Sequence, residues 1–319
     1  MNLARFARKF GQVVLPVRIS ISDVSEILEE PQRSASQSAP SWVPSERRSG
    51  SGNMLDLEFV GRTDVGRVRD HNEDYLGYAA PASPAQARTH GWMFVLADGV
   101  GGHEKGEVAS KTAVETMVVG FHGAKDGEPH SAVLQRLVQQ ANTSIFEAAV
   151  AGGRSSAGMA TTIVACALRY DRAAVAHVGD SRCYLIRNGK AAQITRDHTV
   201  AGEQVRLGIV TAQEAAAGGN SHILSRSLGT ELIANVDTND HQVFPGDVLV
   251  LCSDGLHGLV DASEIAAICG AGQDLHVAAE KLVALANDRG GGDNISVQLI
   301  RIRGVERVGM YRGRPYKLY

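Results

Sequence analysis

Four short turns constrain this 319-residue chain most tightly, because each carries an aspartate at or near the end of an apolar run. Asp98 follows Met93-Phe94-Val95-Leu96-Ala97 and opens Asp98-Gly99-Val100-Gly101-Gly102-His103. Asp254, in Ser253-Asp254-Gly255, follows Val248-Leu249-Val250-Leu251-Cys252. Asp293, in Gly291-Gly292-Asp293-Asn294, precedes Ile295-Ser296-Val297-Gln298-Leu299-Ile300. Asp74 closes Arg69-Asp70-His71-Asn72-Glu73-Asp74. A carboxylate delivered to the end of a buried strand is costly unless something compensates its charge. If the four ends converge, the natural compensation is a cluster of hard divalent cations, which prefer oxygen ligands.

The rest of the chain reads as α+β. Strand-like pieces at Glu58 to Gly66 and Tyr75 to Ala79 flank the first Asp turn. Glu104 to Val119 has helical periodicity through Ala109, Ala113 and Met117, and Ser131 to Val150 reads as a second helix with Ser131 as its N-cap. A meander follows: Thr161 to Leu168, Ala173 to Val178, Arg182 to Arg187 and Ala191 to Thr195. Its turns are so short, Asn188-Gly189 above all, that consecutive strands are expected to be antiparallel. Residues 198–229 are helical and loop-like, with Gly218 to Ser221 as a tip. Val248 to Cys252 is a strand, Ser263 to Ala271 and Asp274 to Asp288 are helices, and Asn294 to Ile302 is the last strand. The expectation is paired helices layered on mostly antiparallel sheet.

Three segments are expected. Residues 1–53 end in a Ser-, Pro- and Arg-rich stretch that reads as a disordered linker, with Met54 as an alternative start. Residues 54–303 carry the regular pattern, and 304–319 form a basic tail for which no element is predicted. A net charge of -3 gives no reason to expect nucleic acid or an anionic membrane as the main partner. The four cysteines are scattered singly, without a CxxC pair, which argues against a zinc site or disulfide framework and fits a reducing cytoplasm. No apolar run approaches the roughly 18 residues of a membrane span.

Single motifs are weak. Asp98-Gly99 alone is an ordinary turn, the charges from Arg67 to Asp74 alone a solvated cluster, and Asp180 in Gly179-Asp180-Ser181 alone a turn residue. What argues for a site is recurrence at strand ends. Gly99 has no side chain, so its carbonyl can also approach a cation. The Arg69 guanidinium offers a planar fork that matches phosphate oxygens.

As an ordered set, these motifs resemble the bacterial form of the metal-dependent protein serine/threonine phosphatases known as protein phosphatase 2C (PP2C). The matching pieces are the Arg69 to Asp74 and Asp98 to His103 segments, Gly106-Glu107-Val108-Ala109-Ser110, Met159-Ala160-Thr161-Thr162, Val178 to Arg182, Asp197-His198, Ser253-Asp254-Gly255-Leu256 and Gly292-Asp293-Asn294. The resemblance spans about Leu57 to Arg303. It implies a four-layer α/β/β/α sandwich of two mostly antiparallel sheets flanked by helices. It also implies two Mn²⁺ or Mg²⁺ ions that activate a water against phosphoserine and phosphothreonine. By motif position, Asp98 bridges the two ions, Asp74 and the Gly99 carbonyl complete one, and Asp254 and Asp293 hold the other. Asp180 matches the ligand of a third ion, Arg69 grips the phosphate and Asn294 supports the site from behind. Phosphorylated proteins, among them a Hanks-type Ser/Thr kinase and its targets, are the partners implied, with a monomeric, cytoplasmic enzyme expected.

The chain departs from the family at Val100, where many eukaryotic members carry a histidine, and at Ala160, usually Gly. His103 reads as a loop histidine. The segment Ala201 to Arg226, at the position of a mobile flap, lacks the usual His-Pro stretch, which leaves substrate choice open. Two competing readings stand beside the enzyme. A non-catalytic module would be expected to have lost metal-site aspartates, and all five are present. A phosphatase of a partner-switching cascade would usually lack the Arg69 motif.

Overall fold

The structure is a computed structural model that describes residues 55–100, 104–153, 158–217, 223–270, 272–306, 308–311 and 314–317. The expected linker, His103 and the Gly218 to Ser221 tip lie outside the described residues.

In chain order the strands are β1 (Asp56–Asp64), β2 (Asp74–Ala79), β3 (Trp92–Val100), β4 (Ala160–Thr161), β5 (Ile163–Arg169), β6 (Arg172–Val178) and β7 (Arg182–Arg187), then β8 (Lys190–Gln193), β9 (Asp237–Gln242), β10 (Val248–Cys252), β11 (Ile295–Gly304), β12 (Val308–Tyr311) and β13 (Arg314–Lys317). The helices are α1 (Pro84–Thr89), α2 (Glu104–His122), α3 (His130–Ala151), α4 (Val200–Arg206), α5 (Ala212–Ala217), α6 (Asp254–His257), α7 (Ala262–Ile268) and α8 (Leu275–Asp288).

One sheet runs β1-β11-β10-β7-β8 and the other β2-β3-β5-β6-β9, with β4 paired to β3. Every pairing is antiparallel. Strand alternation sorts side chains into three apolar layers. On β3, Phe94 and Leu96 face the other sheet, where they join Val164, Cys166, Cys183, Leu249, Leu251 and Ile300. Met93, Val95 and Ala97 point the opposite way, into α2 and α3 through Met117, Leu134, Leu137 and Ile145. On β10, Val248 and Val250 face α7 and α8 through Ile265, Leu275 and Leu282. Three cores between four layers make the α/β/β/α sandwich. Because both faces of the central strands are covered, those strands read as continuous apolar runs in an antiparallel fold. Each fully buried Leu, Phe or Met contributes about 2 kcal/mol.

Several expectations need correction. The meander is not one sheet. β5 and β6 form a hairpin in one sheet and β7 and β8 a hairpin in the other, so Gly179-Asp180-Ser181 carries the chain across the sandwich. Gly179 turns at φ +106°, and a Cβ there would lie 2.6 Å from Thr162, so only glycine fits the crossing. Ser131 is not the N-cap of α3; the helix starts at His130 behind Pro129, with no side-chain cap. The basic tail holds the β12–β13 hairpin. Strand β9 was not predicted, because its sequence, Asp237-Thr238-Asn239-Asp240-His241-Gln242, is that of a polar edge strand. The Asn188-Gly189 turn is as expected, with both residues at positive φ (52° and 73°) as a type I′ hairpin requires.

Candidate metal centre

The expected residues meet at one edge of the sandwich. Asp74 begins β2 and Asp98 stands near the end of β3, and the two are direct register partners. Asp254 begins α6, immediately after β10 and Ser253. Asp293 and Asn294 precede β11, which pairs with β10. Gly255 lets these two ends touch, since a Cβ there would lie 2.1 Å from the Asn294 carbonyl. Asp180 joins them from the crossing between sheets. Each of Asp74, Asp254, Asp180 and Asp293 pushes the Asp98 carboxyl up, after desolvation as the largest cause. This mutual repulsion is the electrostatic record of convergence. Asp74 is raised for the same reasons, burial first, and burial followed by Asp254 lifts Asp180 to about 7.

A hydrogen-bonded frame holds the carboxylates. The Ser253 hydroxyl donates to Asp74 Oδ2 (2.8 Å) and accepts from the Ser296 amide (3.0 Å). Asp74 Oδ1 is buried and has no hydrogen-bond partner. The Asn294 side chain accepts from the Glu73 amide and donates to the Val65 and His71 carbonyls, tying three segments together. Thr162 faces Asp98. Its amide donates to the Asp98 carbonyl (2.8 Å) and its hydroxyl accepts from the Asp98 amide (3.2 Å). Thr162 Oγ1 also lies 2.7 Å from Ser181 Oγ, which links Asp98 to the Asp180 turn. Gly99 sits against Gly106 of α2, where a Cβ would lie 2.3 Å from the Gly106 carbonyl. Arg69 is half-exposed, and its Nη2 donates to Asp293 Oδ2 at 2.8 Å. Ser253, Ser296, Thr162 and Ser181 escaped the sequence reading as functional residues. Their only signal was membership of the quoted motifs or of an apolar strand.

The donors fit a hard cation. The cluster is made of carboxylates, one of which, Asp74, keeps a buried oxygen without a partner, and its repulsion is what positive charge would relieve.

Among the described residues, the group whose three ligand atoms lie within 4.8 Å of one another is a different one, His177, His198 and Asp237. Its existing bonds give it a different role. The Gly179 amide donates to His198 Nδ1 at 3.2 Å, which leaves the proton on Nε2, 3.3 Å from Asp237 Oδ2. Asp237 also accepts from Arg196 (3.0 Å) and Arg226 (3.1 Å). A carboxylate already shared by two guanidinium groups and an imidazole N–H has no need of a cation. The group braces the Gly179 turn and ties it, through Arg226 and Glu203, to α4.

All four cysteines are buried. Burial pushes the Cys166, Cys252 and Cys269 thiols up to about 12, so they are inert core residues.

A two-sheet sandwich with a carboxylate cluster at one edge and an arginine beside it is suited to hold a hard cation next to a phosphate. Residues 67–281 match the family model described as protein phosphatase 2C. The chain is 35% identical over 256 residues to the serine/threonine phosphatase Stp of Listeria innocua, covering 79% of this chain and 97% of that one. It superposes on the serine/threonine phosphatase of S. agalactiae with a TM-score of 0.71 at 31% identity, covering 77% of this chain and all of that one. The catalytic domain of the phosphatase PstP, solved with two manganese ions, is similar at TM-score 0.65 and 30% identity, covering 78% and 99%. The chain belongs to the protein phosphatase 2C family, the metal-dependent protein serine/threonine phosphatases. Among the described residues no helix is long and apolar enough to cross a membrane.

Proposed function

We propose that this chain hydrolyses phosphoserine and phosphothreonine on proteins, with the carboxylate cluster holding Mn²⁺ or Mg²⁺. The observation that carries the reading is the meeting of the strand ends that bear Asp74, Asp98, Asp254 and Asp293, with Asp74 and Asp98 direct register partners and Ser253, next to Asp254, bonded to Asp74. Asp98 would be shared by two ions, Asp74 and the Gly99 carbonyl would hold one of them, Asp254 and Asp293 the other, and Asp180 would hold an outer third. The ions supply, when bound, an activated water and a neutralising field for the transferred phosphoryl group.

The chain's own groups do the rest. Arg69, half-exposed at the rim, is placed to bind the phosphate oxygens of the substrate. Its bond to Asp293 keeps the guanidinium aimed at the cluster rather than at solvent. Ser253 holds Asp74 in one rotamer, Thr162 fixes the Asp98 backbone, and Asn294 keeps the Arg69 to Asp74 segment against the Asp293 turn. The phosphorylated partners are read as a Hanks-type Ser/Thr kinase and its targets, and the enzyme as a cytoplasmic monomer.

The test is release of phosphate from a phosphothreonine peptide by metal-stripped protein titrated with Mn²⁺ and Mg²⁺, beside Asp98→Asn. Metal-dependent release that the variant lacks supports the reading. Normal turnover by Asp98→Asn overturns the assignment of that residue. No release by folded wild type at any metal concentration shifts the weight to a binding module.

A further inference from the structure

One imidazole at the metal edge has no assigned role. His257 directly follows the Ser253-Asp254-Gly255-Leu256 motif and closes the single turn of α6 that Asp254 opens. Its Nε2 lies 3.0 Å from the backbone carbonyl of Asp180. A carbonyl has no proton to give, so the imidazole is the donor and its tautomer is set.

The Asp180 turn is otherwise tied on the side of the β2–β9 sheet and the segment after β8. The Gly179 amide donates to His198 Nδ1, the Gly179 carbonyl accepts from the His198 amide at 2.9 Å, and Ser181 Oγ pairs with Thr162 Oγ1. His257 supplies a bond from the opposite side, from the helix that carries Asp254. That direction matters because Asp254 is the strongest like charge acting on Asp180. Unopposed repulsion would move the turn away from α6. The other bonds hold Gly179 and Ser181 on either side of Asp180, and the bond from His257 reaches the Asp180 backbone itself. A helical turn is rigid, so a bond from position 257 to Asp180 transmits the position of Asp254.

We propose that His257 is a positioning residue that sets the Asp180 carboxylate at a fixed place relative to Asp254, and so determines how tightly an outer divalent ion binds beside the inner pair. The proposal rests on the assignment of Asp180 and Asp254 as ligands made above. It extends that assignment to a residue outside the matched motifs.

The experiment is calorimetric titration of Mn²⁺ into metal-stripped full-length protein, comparing wild type, Asp180→Ala, His257→Ala and His257→Gln. Gln retains an N–H donor near the imidazole Nε2. His257→Phe, which keeps a ring and loses the donor, replaces the alanine variant if that one fails to fold. The expected wild-type isotherm has a tight and a weak class of sites, and Asp180→Ala removes the weak one. Loss of the His257 donor should weaken that class about tenfold, the low end for an outer-shell partner, leave the tight class in place, and be restored to within about twofold by His257→Gln. A weak class unchanged by His257→Ala or His257→Phe overturns the proposal. So does a folded His257→Gln that binds as weakly as His257→Ala, since packing and not the N–H would then be what matters. If Asp180→Ala titrates like wild type, the outer-ion assignment itself falls and takes the proposal with it. The inner assignment is tested separately by Asp98→Asn.

Discussion

Asp98 is where the competing terms meet, because four other carboxylates and burial all act against its charge. Asp98→Asn should therefore abolish metal-dependent turnover, while the stripped variant melts at or above the temperature of stripped wild type, since a repelled charge is removed. A calorimetric scan of both proteins checks this, and marked destabilisation would assign Asp98 a structural role instead. Arg69→Ala should lower kcat/KM for a phosphopeptide by about 10- to 100-fold, the effect of losing a charged hydrogen bond, with most of it in KM. A loss confined to kcat would place the guanidinium elsewhere in the reaction. Away from the site, burial lowers the His130 pKa from 6.5 to about 4, with Arg169 adding to it. The folded value is depressed, so this histidine's contribution is fully present above pH 6.5 and is lost as pH falls toward 4. His130→Gln, which keeps a donor for the His90 carbonyl, should lose less stability than wild type over that window. The difference is on the order of 3 kcal/mol at most. Parallel urea melts at pH 7 and pH 4 measure it, and parallel pH dependences would show that His130 does not carry this linkage.

The elements that were legible in the sequence share a physical cause. Strands β3, β5, β10 and β11 are buried on both faces, so apolar density alone exposes them. Helices α2, α3 and α8 show 3.6-residue periodicity because one face of each packs on a sheet. Strand β9 has no such signal, because its edge position puts polar side chains on both sides of it. Packing between elements also depends on absences. Gly77 of β2 leaves room for α2, since a Cβ there would lie 2.4 Å from Val114 and 3.2 Å from Val118. Gly77→Ala should push α2 outward and destabilise the protein by about 1–3 kcal/mol, measured as a lower urea midpoint. An unchanged midpoint would mean that the stiff Val114 side chain repacks without strain.

At the scale of the molecule, the metal edge is where four strand ends, one helix start and one sheet crossing come together, and its repelling charges are a liability until neutralised. Saturating Mn²⁺ at 100 times its dissociation constant should add about 2.7 kcal/mol for a single site, a rise in Tm of roughly 5–10 °C, and Asp98→Asn should lose most of it. An equal rise in both proteins would place the ion elsewhere. The sequence by itself determined the local facts: which runs are buried, where they stop, that each stop carries a carboxylate, and, through the order of those stops, the family. Such information is carried by neighbours along the chain. The tertiary structure decided what depends on distant partners. It split the apparent meander between two sheets at Gly179, brought Asp180 to the cluster, set Ser253 on Asp74 and Thr162 on Asp98, and turned His177, His198 and Asp237 into a brace. None of these contacts has a periodicity or spacing to read, because each joins residues far apart in the chain whose approach is set by how the two sheets stack.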